Sequence, residues 1–453
     1  MKLSIVILAA GQGTRMNSDL PKVLQPLAGR PLLRHVMDCA TEIGADDVCV
    51  VYGHGGDAVP AAFAGHEVRW ALQAEQLGTG HAVQQAMPDT PNGHRVLVLF
   101  GDVPLLRAST VAKLIDGCGD DEVGVLTVEL DAPFGYGRII RSAGTVEAIV
   151  EERDASDAQK KVREINTGVM CCPADRLKVW LDQLGNNNSQ GEYYLTDIVG
   201  MAVRDGVIVK GILADSQEEV MGINDRKQLA EAERALQQRL VEALMAQGVS
   251  FADPSRVDIR GDLVCGRDVF IDVNTVFEGR VSLGDNVQVK MNNLVRDCVI
   301  GNGSVIRANC HLEDARTGRD CVIGPYARLR PGTELADNVK VGNFVEVKKS
   351  TIADGSKVNH LTYIGDSVIG KDVNVGAGTI TCNYDGANKH QTTIGDGAFI
   401  GSGVELVAPV EIGSGATIGA GSTISKPAPP DSLTLERSRQ KTVSDWTRPS
   451  KKK

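Results

Sequence analysis

Leu8-Ala9-Ala10-Gly11-Gln12-Gly13-Thr14-Arg15-Met16 leaves an apolar run, passes through a turn of small residues and ends on a fixed cation. Glycine and alanine let backbone N–H groups come close to a polyphosphate, and the Arg15 guanidinium offers its oxygens a charged fork. Pro21-Lys22 follows closely, so the Lys22 ammonium can swing back over the same phosphates. The G-x-G pair also occurs in dinucleotide-binding turns, but the third glycine of that fingerprint is missing here. Phe100-Gly101-Asp102 ends another apolar run and sets Asp102 at the carboxyl end of a strand, where open α/β sheets bind ligands. An aspartate there either caps a turn or holds a metal. Much further along, His360 lies in KVNHLTYIGD. A histidine near its ordinary pKa of about 6.5 suits removal of a proton from an attacking amine. A solitary surface histidine can equally have no task. Arg330 and Lys348 precede it at spacings that bring both charges near it on successive coils, as a phosphate-bearing substrate requires.

These residues need two different scaffolds. Residues 1–226 alternate apolar, β-branched runs (Leu3–Ala9, Val48–Tyr52, Val96–Phe100, Val123–Val128) with helical stretches such as Pro31–Ile43 and Ser109–Ile115. Such alternation predicts a Rossmann-like α/β domain with a mainly parallel sheet. Residues 227–247 read as a helical linker arm, the helical pattern running over Asp225–Gln247, with Leu229, Ala232, Leu236, Leu240 and Leu244 on one stripe. Asn224-Asp225 supplies N-cap chemistry and Gly248 the stop. Residues 248–453 then carry an aliphatic side chain every six positions. One phase is Ile259, Cys265, Ile271, Phe277, Leu283, Val289. The register resumes at Ile323, Leu329, Leu335, Val341, Val347, at Ile352, Val358, Ile364, and at Ile394, Ile400, Leu406, Ile412, Ile418, Ile424. A period of six fits neither a helix nor a simple strand, and it predicts a parallel β-helix of hexapeptide repeats, each coil burying its corners against the next. A β-sandwich would need irregular strands and hairpin turns instead. The polar segment Cys382–Thr393 interrupts the period, and Pro427–Pro430 is expected to end the regular coil.

Composition narrows the partners. A formal charge of −10 argues against nucleic acid, whose phosphates need a basic face, and Lys451, Lys452 and Lys453 read as a solvated tail. The 10 cysteines show no CxxC spacing, which signals neither a zinc site nor a disulfide framework and fits reduced thiols in a cytosol. The apolar start MKLSIVILAAG is too short for a signal-peptide core and reads as a buried first strand. No segment reaches the roughly 20 apolar residues of a membrane span, so membrane insertion is not expected.

LAAGQGTRM followed by PKVLQPLAGRPLL resembles the signature of sugar-nucleotide pyrophosphorylases. With the long helix and the hexapeptide repeats, nearly the whole chain is similar to the bifunctional bacterial N-acetylglucosamine-1-phosphate uridylyltransferases/glucosamine-1-phosphate N-acetyltransferases. That resemblance implies a left-handed β-helix and two sites. At the first, a sugar phosphate attacks the α-phosphorus of UTP, with Leu8, Ala9, Ala10, Gly11, Arg15 and Lys22 at the nucleotide. Gln73, Gln76, Gly78 and Thr79 of QAEQLGTGHA match the uracil-reading segment. Asp102, beside Phe100 and Gly101, and Asn224 match the ligands of Mg²⁺, whose octahedral preference suits two protein oxygens plus phosphate and water. Asn224 could also serve only as the helix N-cap. Relatives often have Tyr where this chain has Phe100. Gly137, Glu151 and Asn166-Thr167-Gly168 match positions that contact the sugar, although Glu151 taken alone sits in a charged run that reads as a solvated face.

At the second site the resemblance implies acetyl transfer from acetyl-CoA to glucosamine 1-phosphate, with His360 as general base. Arg330, Lys348, Tyr363 and Asn374 would hold the acceptor. Ala377, Asn383, Tyr384, Ser402, Ala420 and Arg437 match acetyl-CoA contacts, the two alanines being also plain small residues at tight turns. The loop around Asn383 would reach a neighbouring subunit of a homotrimer. The product, N-acetylglucosamine 1-phosphate, would then pass to the first site in the cytoplasm to give UDP-N-acetylglucosamine for envelope polysaccharides. Two other readings remain: a pyrophosphorylase of single activity with a regulatory or trimerising β-helix, and a non-catalytic assembly subunit, from which Arg15, Lys22 or Asp102 should have been lost.

Overall fold

The computed structural model describes residues 2–142 and 144–451, so Lys452 and Lys453 of the basic tail lie outside the described residues. The chain divides into two compact units, Met1–Leu236 and Gln237–Lys453. Among the described residues no helix is long and apolar enough to cross a membrane.

The first unit is built on a nine-stranded sheet. Its central order is Val209–Leu213, Val123–Glu129, Glu164–Pro173, Arg95–Phe100, Leu3–Leu8, Asp47–Tyr52 and Arg69–Leu72. Leu3–Leu8 pairs in parallel with both neighbours. Ile5, Val6 and Ile7 are wholly buried, as a strand covered by helices on both faces demands. One strand runs the other way: Glu164–Pro173 is antiparallel to both Arg95–Phe100 and Val123–Glu129, and its register shifts between Asn166 and Met170. A hairpin of Arg138–Ser142 and Thr145–Val150 attaches to it. This reversed strand makes the sheet mixed and delivers Asn166-Thr167-Gly168 at an irregularity.

The helix Arg226–Ala246 starts at Asp225, whose carboxylate accepts from Gln228 N at 2.8 Å, while Gln228 Oε1 reaches back to Asn224 N at 2.7 Å. The capping therefore uses the Asp225 side chain, and the Asn224 side chain remains available for other work. Gly248, at φ 98°, closes the other end, and Val249 N bonds Leu244 O.

In the second unit the strands form two parallel stacks, one of 11 and one of 17 strands. The six-residue register lies in its core: Ile259, Ile271, Phe277, Ile323, Val347, Ile364, Ile400 and Ile418 are among the fully buried side chains. Cys265 is the half-buried exception. Residues on adjacent coils are separated by 17 or 18 positions in sequence. Across the 382–393 segment that separation becomes 25. The first coil would leave an open edge at Ile259, and the buried Gln237 side chain closes it: its Nε2 donates to Ile259 O at 2.8 Å and its Oε1 accepts from Ile259 N at 2.7 Å. A side-chain amide thus completes the peptide pairing that a further strand would have supplied. At the far end the coil outlasts Pro427–Pro430. Ala428 pairs with Ile412, its N–H donating to Glu411 O, and Leu433–Thr434 adds a last strand on Thr417–Ile418. Proline removes donors only at its own positions, and Ala428 retains the one this corner uses.

Candidate active sites

In the first unit a cleft of about 240 Å³ is lined by Leu8, Ala9, Ala10, Gly11, Lys22, Gln73, Gln76, Gly78, Thr79, Phe100 and Asp102, together with Val23, Ala82 and Glu192. It opens at the carboxyl ends of Leu3–Leu8 and Arg95–Phe100. Gly13 is in the left-handed region at φ 62°, and a Cβ there would lie 2.6 Å from Lys22 Cβ. Only glycine lets this turn fold onto Lys22. Lys22 Nζ forms an ion pair with Asp102 Oδ2 and donates to Asn224 Oδ1 at 3.2 Å. Ile223 N bonds Asp102 O at 2.9 Å, which fixes Asn224 beside Asp102. Two oxygens, one charged and one neutral, therefore converge on a single cation. That donor set fits Mg²⁺, a hard ion that takes oxygen ligands.

Gln73 is buried, and its Nε2 contacts Gly78 O and His81 Nδ1, at 3.1 and 3.0 Å. Gln76 Nε2 donates to Gln73 O at 3.2 Å. Gly101 lies under the cleft floor, where a Cβ would press on Ala9 Cβ at 3.2 Å. Arg15 stands apart from the lining, exposed on the turn Thr14–Met16.

A second cavity, of about 430 Å³, is lined by Glu151 with Asp154, Asn187, Asn188, Tyr194 and Asp197. Glu151 is not on a solvated face. Burial pushes its carboxyl above the usual range, the Thr196 hydroxyl, donating at 3.2 Å, opposes the shift, and Asp154 and Asp197 add to it. A Cβ on Gly137 would lie 3.2 Å from Glu151 Oε1. Asn166 N donates to Gly137 O, and Asn166 Oδ1 accepts from Gly168 N. Gly168, at φ 89°, lets Phe100 close over it, since a Cβ would lie 2.5 Å from the ring. Phe100 thus faces the cleft on one side and the Asn166–Gly168 irregularity on the other. The chain between Asn187 and Tyr194, which walls both cavities, carries no signal in the sequence.

In the second unit a groove of about 540 Å³ is lined by His360, Asn374, Ala377, Ser402 and Ala420, with Asn359, Phe399 and Thr417. Gly378 N bonds His360 O, Gly403 N bonds Ala377 O, and Gly421 N bonds Ser402 O. His360, Ala377, Ser402 and Ala420 therefore occupy one file along four successive coils. His360 is the last residue of the strand Lys357–His360, and the turn itself belongs to Leu361, at φ 47°. The His360 side chain is exposed, and its Nδ1 lies 3.0 Å from Asn343 Oδ1 on the preceding coil. Arg437 reaches the end of the file, 3.5 Å from where a Gly419 Cβ would be. Arg330, Lys348 and Tyr363 belong to the other stack, where Arg330 Nη1 donates to Glu346 Oε1 at 2.8 Å and Glu346 pairs in register with Tyr363. They do not line the groove. Neither do Asn383 and Tyr384. Asn383 is buried and bonds Asp366, while Tyr384 is exposed with Lys389 over its ring. Asn343 and Phe399 escaped the sequence reading. Counting back one coil from His360 would have found Asn343.

Residues 5–165 match the model of the MobA-like NTP transferase domain, and residues 314–349 and 391–426 match that of the bacterial transferase hexapeptide (six repeats). The bifunctional protein GlmU of Aromatoleum aromaticum is 58% identical over 452 residues, covering 100% of this chain and 99% of that protein. The bifunctional protein GlmU of Azoarcus sp. is 56% identical over 452 residues and 100% of both chains. The crystal structure of apo UDP-glucose pyrophosphorylase aligns with 53% of this chain and 100% of its own at 16% identity and a TM-score of 0.43. A nucleotidyltransferase domain, a hexapeptide domain and full-length identity above half leave one assignment: the chain belongs to the GlmU family of bifunctional enzymes, which are both glucosamine-1-phosphate N-acetyltransferases and N-acetylglucosamine-1-phosphate uridylyltransferases.

Proposed function

We propose that the cleft between Gly11 and Asp102 is the uridylyltransferase site and the groove at His360 the acetyltransferase site, working in sequence on one sugar phosphate. The observation that carries the first assignment is the convergence of Lys22, Asp102 and Asn224 at a cleft lined by the small-residue turn. The turn backbone, Lys22 and Arg15 bind the triphosphate of UTP, and Gln73 and Gln76 read the uracil edge. Asp102 and Asn224 hold Mg²⁺, which when bound neutralises phosphate charge at the reacting centre. Gly137, Glu151 and Asn166 receive N-acetylglucosamine 1-phosphate, the neutral fraction of Glu151 favoured by burial being a donor to sugar or amide oxygens. Little covalent help is needed, because phosphoryl and nucleotidyl transfer depend on alignment and charge neutralisation.

At the second site His360 takes the proton from the glucosamine amine as it attacks the thioester carbonyl of acetyl-CoA, the new C–N bond replacing the C–S bond as CoA leaves; acetyl-CoA lies along the file Ala377, Ser402, Ala420 and Arg437. Arg330, Lys348, Tyr363 and Asn374 hold the acceptor. The segment carrying the buried Asn383 and the exposed Tyr384 completes this site on a neighbouring subunit of a homotrimer in the cytoplasm, where ten unpaired thiols are at home.

A coupled assay tests both halves: the purified chain receives UTP, Mg²⁺, acetyl-CoA and glucosamine 1-phosphate. Pyrophosphate should form only when acetyl-CoA is supplied. His360→Ala should stop CoA release and leave uridylyl transfer from added N-acetylglucosamine 1-phosphate intact. Loss of both activities in a folded His360→Ala protein would overturn the separation.

A further inference from the structure

We infer that Asn343 is a positioning residue for acetyl transfer: it fixes the ring and tautomer of His360. The inference rests on the reading of His360 as general base. Asn343 ends the strand Lys340–Asn343 directly beneath Lys357–His360, with Asn343 in register with His360. Its backbone carbonyl accepts from Leu361 N at 3.1 Å, and its side-chain Oδ1 faces His360 Nδ1 at 3.0 Å. An amide oxygen only accepts, so Nδ1 carries the proton and Nε2 keeps its lone pair. Nε2 is then the nitrogen able to take a proton from the amine. The His360 carbonyl is held as well, accepting from Thr362 Oγ1 at 2.6 Å and Gly378 N at 3.3 Å.

The close stacking is built into the coil. A Cβ on Gly342 would lie 2.0 Å from Asn359 O, so glycine at that position lets the two strands approach closely enough for the side chains at 343 and 360 to meet. Asn343 is also the next member of the file that continues through His360, Ala377, Ser402 and Ala420. Above His360 the file is small, leaving room for a ligand; below it stands the Asn343 amide that contacts the imidazole. On the three stacked strands the titratable side chains are Lys340, Lys357 and His360, so the partner of Nδ1 is neutral. A carboxylate in that place would set a negative charge beside the ring and favour its protonated form.

Two variants of the full chain test this. Asn343→Leu keeps the branched shape of the side chain and removes the acceptor. Its kcat for acetyl transfer should fall on the order of tenfold to a hundredfold, part of the 10²–10⁴ that a placed base provides, with the KM for glucosamine 1-phosphate unchanged. Asn343→Asp preserves the acceptor and adds charge. It should restore kcat above its shifted pKa and move the acid limb of kcat/KM upward by about one pH unit. Uridylyl transfer should be untouched in both. An Asn343→Leu protein with kcat within about twofold of the parent, or an Asn343→Asp protein whose acid limb does not move, overturns the inference. If His360→Ala retains acetyl transfer, the reading of His360 itself fails, whatever Asn343 does.

Discussion

Lys22 Nζ and Asn224 Oδ1 are 202 residues apart in sequence and 3.2 Å apart in space, and the same ammonium is ion-paired with Asp102. This contact draws the walls of the cleft at Gly11 and Asp102 together. Removing Lys22 leaves the Asp102 and Asn224 oxygens facing each other with no cation between them. Lys22→Ala should lower kcat for uridylyl transfer by about 10²–10³, the usual cost of one charge-stabilising group, with acetyl transfer unchanged. Chelation by EDTA should stop pyrophosphate release in the parent and leave CoA release running. Parallel assays of the two products check both outcomes.

Gly168 supports Phe100 by having no side chain. Gly168→Ala would set a Cβ 2.5 Å from the Phe100 ring at φ 89°. The left-handed strain alone costs about 1–2 kcal/mol, and the ring must move into the cleft. The KM for the sugar phosphate should rise and the melting temperature fall. Gly200→Ala, in the helix Asp197–Arg204, is the contrast: its nearest neighbour is 3.8 Å away. Stability there should rise by about 0.5–1 kcal/mol.

Glu151 carries a stability cost that pH reveals. Its folded pKa is raised by burial, so the native state holds that proton more tightly than the unfolded chain does. The associated stability is fully present below the unfolded value of about 4.3 and is lost as pH rises through the folded pKa. Glu151→Gln should therefore melt above the parent near neutral pH, and the difference should close as the buffer is acidified past that unfolded value. Melting curves across the range decide it. The same variant should bind the sugar phosphate less well.

Gln237 closes the first coil with two buried hydrogen bonds to Ile259. Gln237→Ala strands a donor and an acceptor in the core. The expected loss is about 2–4 kcal/mol, seen as a lower urea midpoint by circular dichroism, while uridylyl transfer measured well below that midpoint stays normal.

The β-helix was legible because one period of six is written across the second half of the chain, and nearly every residue in that register is buried. The parallel core of the first unit was legible for a similar reason: Leu3–Leu8 and Arg95–Phe100 are continuous apolar runs. The antiparallel strand Glu164–Pro173 was not, because strand direction depends on pairing partners far away in sequence. Glu151 misled when read alone, since a charged run conceals the burial that the fold imposes on its carboxyl. Asn224 left two readings open, and the neighbouring Asp225 and Gln228 take up the capping. Arg330, Lys348 and Tyr363 sit on three successive coils, Tyr363 on that of His360, but on another stack, because a hexad count gives the height along the coil and a corner decides the face.

Chain length is handled differently in a coil than in a sheet of separate strands. The 382–393 segment lengthens one turn so that partners stand 25 positions apart instead of 17 or 18. Yet Ile394 still sits directly over Ile369 and under Ile412. Extra chain at a corner therefore leaves every later layer where it was, and doubling such a loop costs only about 0.6 kcal/mol in closure entropy. The core acts as a spool: material can be paid out at one rim to reshape a site, while the layers above and below stay in step.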